Sequence, residues 1–342
     1  MATKRHNRNL IASIEVNGVE VGEPSEVKQA VCHHFQNLFT KQRRYWPSIG
    51  GEFKKIEDNQ AVDSLEREFT KEEMWAAIKE CDGNKAPGPD GFNMLFFQKS
   101  WKFLKGDIMK FMKEFYSNSK LGYGVNCSFV TLIPKKDNPN SLIDYRPISL
   151  INSPYKMLSS FGFGPRWISW MKECLESTRI SVLVNGSPSV EFCPQKRLRQ
   201  GDPLFPFLFN VVTEGLNILL RRAKQLGIIK GVVVGDREVN ISYLQFADDT
   251  ILFCEAEWVE IVAMKRILRC FEVISGLKIN FHKSLICGVG VDDGLVEEFA
   301  AKLNCLSQKL PLKYLGMPLG ANPGRKQAWQ LMLDRFKKKL SG

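Results

Sequence analysis

The sequence lacks the long apolar runs that a membrane-spanning protein needs. No uninterrupted apolar stretch in its 342 residues approaches the ~20 residues that cross a bilayer. The first eight residues are polar and basic, without the apolar core of a secretory signal. None of the nine cysteines is spaced as Cys-x-x-Cys, so neither a zinc site of that type nor a secreted disulfide framework is predicted. We therefore expect an intracellular protein, in a reducing nucleus or cytoplasm, with no membrane partner.

Acidic residues are in the minority. The chain has 37 Asp and Glu against 48 Lys and Arg, which gives a net charge of +11 and a pI near 9.2. The basic residues cluster between apolar segments, as at Lys135-Lys136 and Arg221-Arg222. This balance favours a polyanionic partner, nucleic acid before an anionic membrane, although a basic protein with a solvated surface has the same composition. The length allows two domains or one elongated fold of several parts.

Periodicity and turn signals predict a mixture of helices and strands. A strand pair is expected around Asn17-Gly18, followed by a helix over 24–39. The capping box Thr70–Glu73 begins a helix that should run to about Cys81. Residues 93–116 predict two helices that are broken near Gly106. Further helices are predicted over 165–177, 206–226 and 257–276, and further strands over 129–134, 180–184, 190–193, 228–234 and 239–246.

The most informative residues are Asp248 and Asp249, two adjacent acids inside an apolar run. Phe246-Ala247 precedes them and Ile251–Phe253 follows, so the segment predicts a hairpin with the acids at its turn. Carboxylates held among apolar strands are usually paired or bound to metal. The pair therefore predicts a site for a hard divalent cation such as Mg2+. A solvated Asp-Asp turn in an ordinary hairpin is the alternative, and for an isolated pair it is the more common case.

Two earlier segments have features that suit phosphate binding. The loop Asn84–Gly91 contains two prolines and two glycines, and its exposed backbone N–H groups can approach a phosphate; a rigid connector between helices explains it equally. Lys135 and Arg146 lie on either side of a short turn, where an arginine can bind a phosphate through two hydrogen bonds. The alternative for Arg146 is a surface ion pair with Asp144.

Two later segments have the same double interpretation. Gln200 and Gly201 can hydrogen-bond a strand and allow close approach of a base or sugar, but the segment also suits a helix cap built on Asp202. Lys283 could bind a leaving pyrophosphate, although a single lysine after a strand is more often solvated.

Taken in order, these segments resemble the reverse transcriptase region of plant LINE-type non-LTR retrotransposons. The resemblance covers almost the whole chain and is carried by Asn84–Gly91, Leu132–Lys136, Asp144–Leu150, 162–168, Leu198–Pro203, Phe246–Asp249, Ser275–Ser284 and Lys313–Leu319. It implies an α+β right-hand polymerase that copies an RNA template from a DNA primer, using dNTPs and two Mg2+ ions.

The resemblance also implies roles and regions. Asp248 and Asp249 would bind metal, while the nucleotide or template would meet Lys135, Arg146, Gln200, Gly201 and Lys283. The chain would divide into an N-terminal linker region (1–69), a fingers-like region (70–160), a partial palm (161–320) and a truncated C-terminal helix (321–342).

One expected element is missing from the sequence. The resemblance implies a third metal-binding carboxylate, on a strand between the fingers and the segment 162–168. After Asp144 the next acid is Glu173, inside the predicted helix over 165–177, so several tens of residues are absent at the junction Ser159–Phe161. The resemblance therefore implies an incomplete palm, a ferredoxin-like sheet lacking its first catalytic strand, and we expect an unpaired edge and uncovered apolar surface there.

The missing strand leads to two functional hypotheses. The first is an impaired reverse transcriptase, encoded by a fragment of a retrotransposon reading frame that also lacks the upstream endonuclease. The second is a non-catalytic nucleic-acid-binding remnant of a decayed element. The same sequence would also result if the gene encodes an intact polymerase and a coding segment at this junction was omitted when the protein sequence was assigned.

Overall fold

The computed structural model divides the chain into two compact units. The first is Met1–Trp46 with Glu52–Val212, and the second is Pro47–Gly51 with Thr213–Gly342. The residues that the structure describes are 11–16, 18–40, 47, 49–134, 139, 141–145, 155–194, 202–322 and 324–340. Within these ranges, no helix combines the length and the apolar character that a bilayer crossing requires.

The first unit combines short strands with six helices in its described part. Its strands are β1 (Ile14–Val16), β2 (Val19–Val21), β3 (Cys127–Thr131), β4 (Arg179–Val184) and β5 (Ser187–Pro188). Its helices are α1 (Pro24–Phe39), α2 (Asn59–Glu66), α3 (Lys71–Glu80), α4 (Met94–Asn118), α5 (Tyr155–Ser160) and α6 (Pro165–Glu176). Strands β3 and β4 pair in parallel, β4 and β5 pair antiparallel, and β1 and β2 form a separate hairpin.

The core of the first unit forms where α1 covers strand β4. Helix α1 buries one apolar residue per turn, at Val27, Val31, Phe35 and Phe39, each at most 2% exposed. These side chains belong to the same cluster as Ile180, Val182 and Val184 of β4. Asn185, in the turn after β4, also exchanges two hydrogen bonds with the backbone of Ile11, each 2.9 Å long. The described residues before position 40 are therefore an integral part of this core.

The second unit consists of short hairpins and helices. Its strands are β6 (Val232–Val234), β7 (Val239–Ile241), β8 (Tyr243–Phe246), β9 (Asp249–Leu252), β10 (Leu285–Ile286), β11 (Leu306–Ser307), β12 (Leu312–Tyr314) and β13 (Met317–Leu319). Helix α7 (Phe205–Gln225) leads into the unit, which also contains α8 (Trp258–Ser275), α9 (Asp293–Leu303) and α10 (Lys326–Leu340). The sheets of this unit have two strands each among the described residues.

The structure confirms most of the predicted elements and contradicts two of them. The strand predicted over 190–193 is wrong, because β4 pairs after its turn with β5 (Ser187–Pro188), and within 190–193 only Phe192 forms an isolated bridge, with Ile180. The capping box is formed, since Thr70 accepts a hydrogen bond from the Glu73 N–H and the Glu73 carboxylate accepts one from the Thr70 N–H. The predicted break near Gly106 is wrong, because α4 runs without interruption through that residue. Packing decides this case: one face of α4 is anchored to the rest of the unit, which offsets the cost of about 1 kcal/mol for a glycine inside a helix.

Candidate active site

The two adjacent acids lie at the tip of the hairpin formed by β8 and β9. The strands pair antiparallel, with Tyr243 opposite Leu252 and Phe246 opposite Asp249, so that Ala247 and Asp248 form the loop. Ala247 has a φ of +51°, in a region that residues with a Cβ rarely adopt. The Gln245 side-chain amide donates a 3.3 Å hydrogen bond to the Ala247 carbonyl and supports the turn. The predicted hairpin with acids at its turn is thus confirmed.

The two faces of this hairpin differ in burial. Cross-strand partners share a face, so Leu244, Phe246, Asp249 and Ile251 lie on the same side. Leu244 is 44% exposed and Phe246 is 64% exposed. In the part of the chain that the structure describes, no third strand pairs with β8 or β9. Asp249 therefore lies on an exposed, partly apolar face beside a sheet edge.

The donor set around the two acids is smaller than a two-ion site requires. Asp248 and Asp249 are both exposed, and the described residues include no group of three or more His, Cys, Asp or Glu side chains that could hold a metal ion. Proteins often hold Mg2+ with one or two carboxylates together with substrate phosphates, so the pair suits a single hard cation shared with a substrate. A clamp of two ions, which needs a further shared carboxylate, does not fit the described donors.

A third acid, Glu260, holds the segments on either side of the hairpin region through backbone hydrogen bonds. The sequence did not predict this role. Glu260 lies in the first turn of α8 and is 2% exposed. Its carboxylate accepts 3.2 Å hydrogen bonds from the backbone N–H groups of Lys230 and Glu255. It thereby ties the segments that precede β6 and follow β9 to the helix. The available signal was an acid on the same helical face as buried Ala263 and Met264.

The cysteine that follows the hairpin, Cys254, has an intermediate exposure. Burial, with a smaller contribution from the Glu260 carboxylate, raises the pKa of the Cys254 thiol to about 11.

The other predicted site residues divide into two groups. Lys135, Arg146, Gln200 and Gly201 lie outside the described residues. Lys283 is described, at the end of the short 3-10 turn Phe281–Lys283, where it is exposed and has no ion-pair partner within the described ranges.

Asp144 and Asp202 both accept hydrogen bonds from nearby backbone N–H groups. The Asp144 carboxylate accepts a hydrogen bond from the Ser141 N–H at 3.2 Å, and that of Asp202 accepts one from the Leu204 N–H at 2.9 Å. A phosphate-binding role for the segments around them remains a prediction.

The junction Ser159–Phe161 forms a regular helix ending. The Gly162 N–H donates to the Ser159 carbonyl at 3.1 Å, and the Phe163 N–H donates to the Leu158 carbonyl at 3.2 Å. Gly162 has a φ of +84°, so the two bonds and the glycine form a Schellman cap at the end of α5. Leu158 and Phe161 are both buried. The chain thus passes from α5 to α6 without strain at the place where the sequence indicates a missing segment.

Comparisons with known proteins agree with the family resemblance. Residues 158–319 match the family of reverse transcriptases (RNA-dependent DNA polymerases). The chain is 21% identical over 365 residues to an uncharacterized 149 kDa protein of transposon TX1 from Xenopus laevis, covering 82% of this chain and 27% of that protein. It is 31% identical over 137 residues to the retrovirus-related Pol polyprotein of the type-2 retrotransposable element R2DM from Drosophila melanogaster, covering 40% and 12%.

A shorter match involves a plant protein. The chain is 42% identical over 81 residues to an uncharacterized mitochondrial protein of Arabidopsis thaliana, covering 24% of this chain and 64% of that protein. The chain therefore spans less than two thirds of the length of each of these three relatives. Together the matches support a reverse-transcriptase-like region of the non-LTR retrotransposon type.

The alignment with the Xenopus protein contains more positions than this chain fills. Coverage of 82% of 342 residues corresponds to about 280 residues, whereas the alignment is 365 positions long. About 85 aligned positions are thus empty in this chain, the difference between those two values. The relative therefore has residues within the aligned region that this chain lacks.

Proposed function

We propose that this chain derives from the reverse transcriptase of a plant LINE-type non-LTR retrotransposon and that its polymerase site is impaired. The family acts on a nucleic-acid template and primer, here an RNA template, a DNA primer and dNTPs, in the nucleus or cytoplasm. In this proposal Asp248 and Asp249 bind Mg2+. In the same proposal, the incoming nucleotide or template contacts Lys135, Arg146, Gln200, Gly201 and Lys283.

The observation that carries this proposal is the hairpin of β8 and β9. It presents two carboxylates beside a sheet edge that no described strand covers, with Leu244 and Phe246 exposed. A strand with a third carboxylate would cover that edge and complete the ligand set. When bound, a pair of metal ions supplies charge stabilisation for the attacking and leaving oxygens in this chemistry. Because the described donors fall short of that site, we assign no catalytic step to this chain.

One further observation supports a missing segment, and another indicates that the remaining chain can fold without it. The alignment with the Xenopus relative leaves about 85 positions empty in this chain, which is 365 minus about 280. The junction between α5 and α6 is closed by a Schellman cap with buried Leu158 and Phe161 on either side. Such a cap allows the remaining chain to fold, so the loss of catalysis does not require the loss of the whole fold.

A primer-extension assay tests the proposal. The purified chain is incubated with an RNA template, a DNA primer, dNTPs and Mg2+, in parallel with an Asp248→Asn variant. We expect both proteins to give the same background extension. Extension by the unmodified chain that disappears in Asp248→Asn would overturn the impaired site.

A gain-of-function variant makes the assay more specific. An intact relative supplies the segment that contains the missing strand. This segment is inserted at the junction Ser159–Phe161. We expect extension that depends on Asp248. If the inserted protein is folded and still inactive, the absence of that strand is not the cause of the impairment.

The net charge of +11 favours a second candidate function, namely binding of nucleic acid without catalysis. Such binding should weaken steeply with salt if several phosphates are contacted. A salt-independent affinity would contradict it.

A further inference from the structure

The outward face of helix α4 combines lysines with an exposed phenylalanine. Lys99, Phe103, Gly106, Lys110 and Lys113 follow one another at intervals of four, three, four and three residues, which places them on one stripe of the helix. All five are exposed, and Phe103 is 85% exposed. At 1.5 Å per residue the stripe is about 21 Å long.

The opposite side of α4 is anchored within the first unit. Trp101 stacks on Trp75 of α3 with ring centroids 5.3 Å apart. The Gln98 amide donates hydrogen bonds to the carbonyls of Ile78 and Cys81 at 3.0 Å and 2.8 Å. Phe115 is buried and lies 6.1 Å from the Trp170 ring. The orientation of the stripe is thus set by the packing of the other face, and the stripe itself is left for solvent or a partner.

The positive charge of this face is largely uncompensated. Helix α4 contains five lysines and two acids, a net charge of +3. Within the described residues, Lys113 has one long contact, 4.0 Å from Glu68, and Lys99, Lys102 and Lys110 have no ion-pair partner. Lys99 and Lys102 are three residues apart, where like charges destabilise an isolated helix, whereas Lys110 has the exposed acids Asp107 and Glu114 three residues before and four residues after it. A polyanion bound along the stripe would relieve this repulsion.

Gly106, in the middle of the stripe, is a glycine that the packing of the helix does not require. A Cβ added at this position would meet nothing within 4 Å, and its backbone is ordinary helix. The first unit therefore has no steric or conformational need for glycine there, although glycine weakens a helix interior relative to alanine. A residue without a side chain does allow another chain to approach the helix backbone closely.

We propose that the outward face of α4 binds single-stranded nucleic acid, with the lysines contacting phosphates, Phe103 stacking on a base and Gly106 admitting the backbone. Exposed aromatic rings beside lysines are the elements of sequence-independent single-strand binding, since every base has a face for stacking. A membrane-surface helix would segregate its basic and apolar residues onto different faces. Here lysines and Phe103 share one stripe. The surface shares no residue with the hairpin of β8 and β9, and binding there requires no catalysis.

The test measures the fluorescence anisotropy of a labelled mixed-sequence single-stranded RNA, with no metal ion and no dNTP. The variant Lys99→Gln/Lys110→Gln/Lys113→Gln should bind at least about tenfold more weakly. The slope of log affinity against log salt should decrease by about 2, because each phosphate contact on a single strand contributes about 0.7. Phe103→Ala should weaken binding about tenfold and leave that slope unchanged.

The matched control is Lys54→Gln/Lys71→Gln/Lys79→Gln, which removes the same charge from exposed positions of the first unit outside α4. The affinity of this control for the RNA should change by less than about twofold, because the proposal confines the phosphate contacts to α4. An equal loss in both triple variants, or no loss in the α4 variant, would overturn the proposal. Tighter binding to phosphatidylserine vesicles than to RNA would also overturn it. Circular dichroism melts verify that each variant is folded.

The Asp248→Asn variant separates this proposal from the polymerase hypothesis. It should bind the RNA as the unmodified chain does, because the hairpin is not part of the surface. Loss of RNA binding in Asp248→Asn would place the binding site at the hairpin and contradict a site on α4. The primer-extension result, by contrast, leaves the α4 proposal unaffected in either direction.

Discussion

The sheet of β3, β4 and β5 and the hairpin of β8 and β9 are built from similar sequences but differ in how they are covered. In β4, Ile180 and Val182 are 0% exposed, because helix α1 packs its apolar stripe against them. In β8, Leu244 and Phe246 are 44% and 64% exposed, and no described strand pairs with either edge of the hairpin. Apolar strand residues thus form a core only where another segment supplies the complementary face.

Side-chain removals in the two regions should therefore differ in their effect on the stability of the folded state. A side chain in the covered sheet contributes apolar burial and close packing, so its removal leaves a cavity. A side chain on the uncovered hairpin face is already solvated, so its removal costs little in the folded state. The hairpin can therefore preserve its shape while lacking a strand beside it, which is what the proposed deletion requires.

The largest expected effect comes from the covered sheet. Phe35 is 2% exposed in the cluster that joins α1 to β4, so Phe35→Ala should lower the free energy of unfolding by about 3–5 kcal/mol. Urea unfolding followed by tryptophan fluorescence measures it. The matched change on the uncovered face, Leu244→Ala, should cost less than about 0.5 kcal/mol. Comparable losses from the two substitutions would show that the outer face of the hairpin is covered after all.

An intermediate effect is expected from the acid that holds the base of the hairpin. Glu260→Ala leaves the N–H groups of Lys230 and Glu255 without their acceptor and should cost about 2–3 kcal/mol. Glu260→Gln retains one carbonyl oxygen and should cost less. Circular dichroism melts measure both variants. If Glu260→Ala is as stable as the unmodified chain, the carboxylate does not support the hairpin.

The smallest expected effect concerns the hairpin turn itself. Ala247 has a φ of +51°, so Ala247→Gly removes the strain on its Cβ and should stabilise the folded state by about 0.5 kcal/mol after the entropy of the unfolded chain is included. Ala256 is exposed in the loop that follows β9, without a positive φ, so Ala256→Gly should instead destabilise by about 0.4–1 kcal/mol. Urea denaturation compares them, and a loss of stability in both would contradict the strained turn.

Local sequence signals predicted most of the elements. Helix α1 begins at Pro24 and ends at Phe39 as its four-residue apolar spacing predicts, and the capping box places the start of α3. These signals succeed because capping and periodicity act within a few residues. The prediction of two helices around Gly106 was wrong, because a glycine's local cost is outweighed by contacts with Trp75 and other distant residues. The role of Glu260 was missed for the same reason, since its partners are backbone groups of other segments.

The two acids of the candidate site could be predicted from local pattern alone, because Asp248 and Asp249 are adjacent in the chain and strand preference places them at a turn. The order of the motifs in the sequence determined the resemblance to reverse transcriptases. How each region is covered follows from long-range packing: residues before position 40 join the core of β4, Leu244 and Phe246 of the β8–β9 hairpin are exposed, and so is the lysine stripe of α4. These outcomes depend on contacts between residues far apart in the chain, and local pattern cannot specify them.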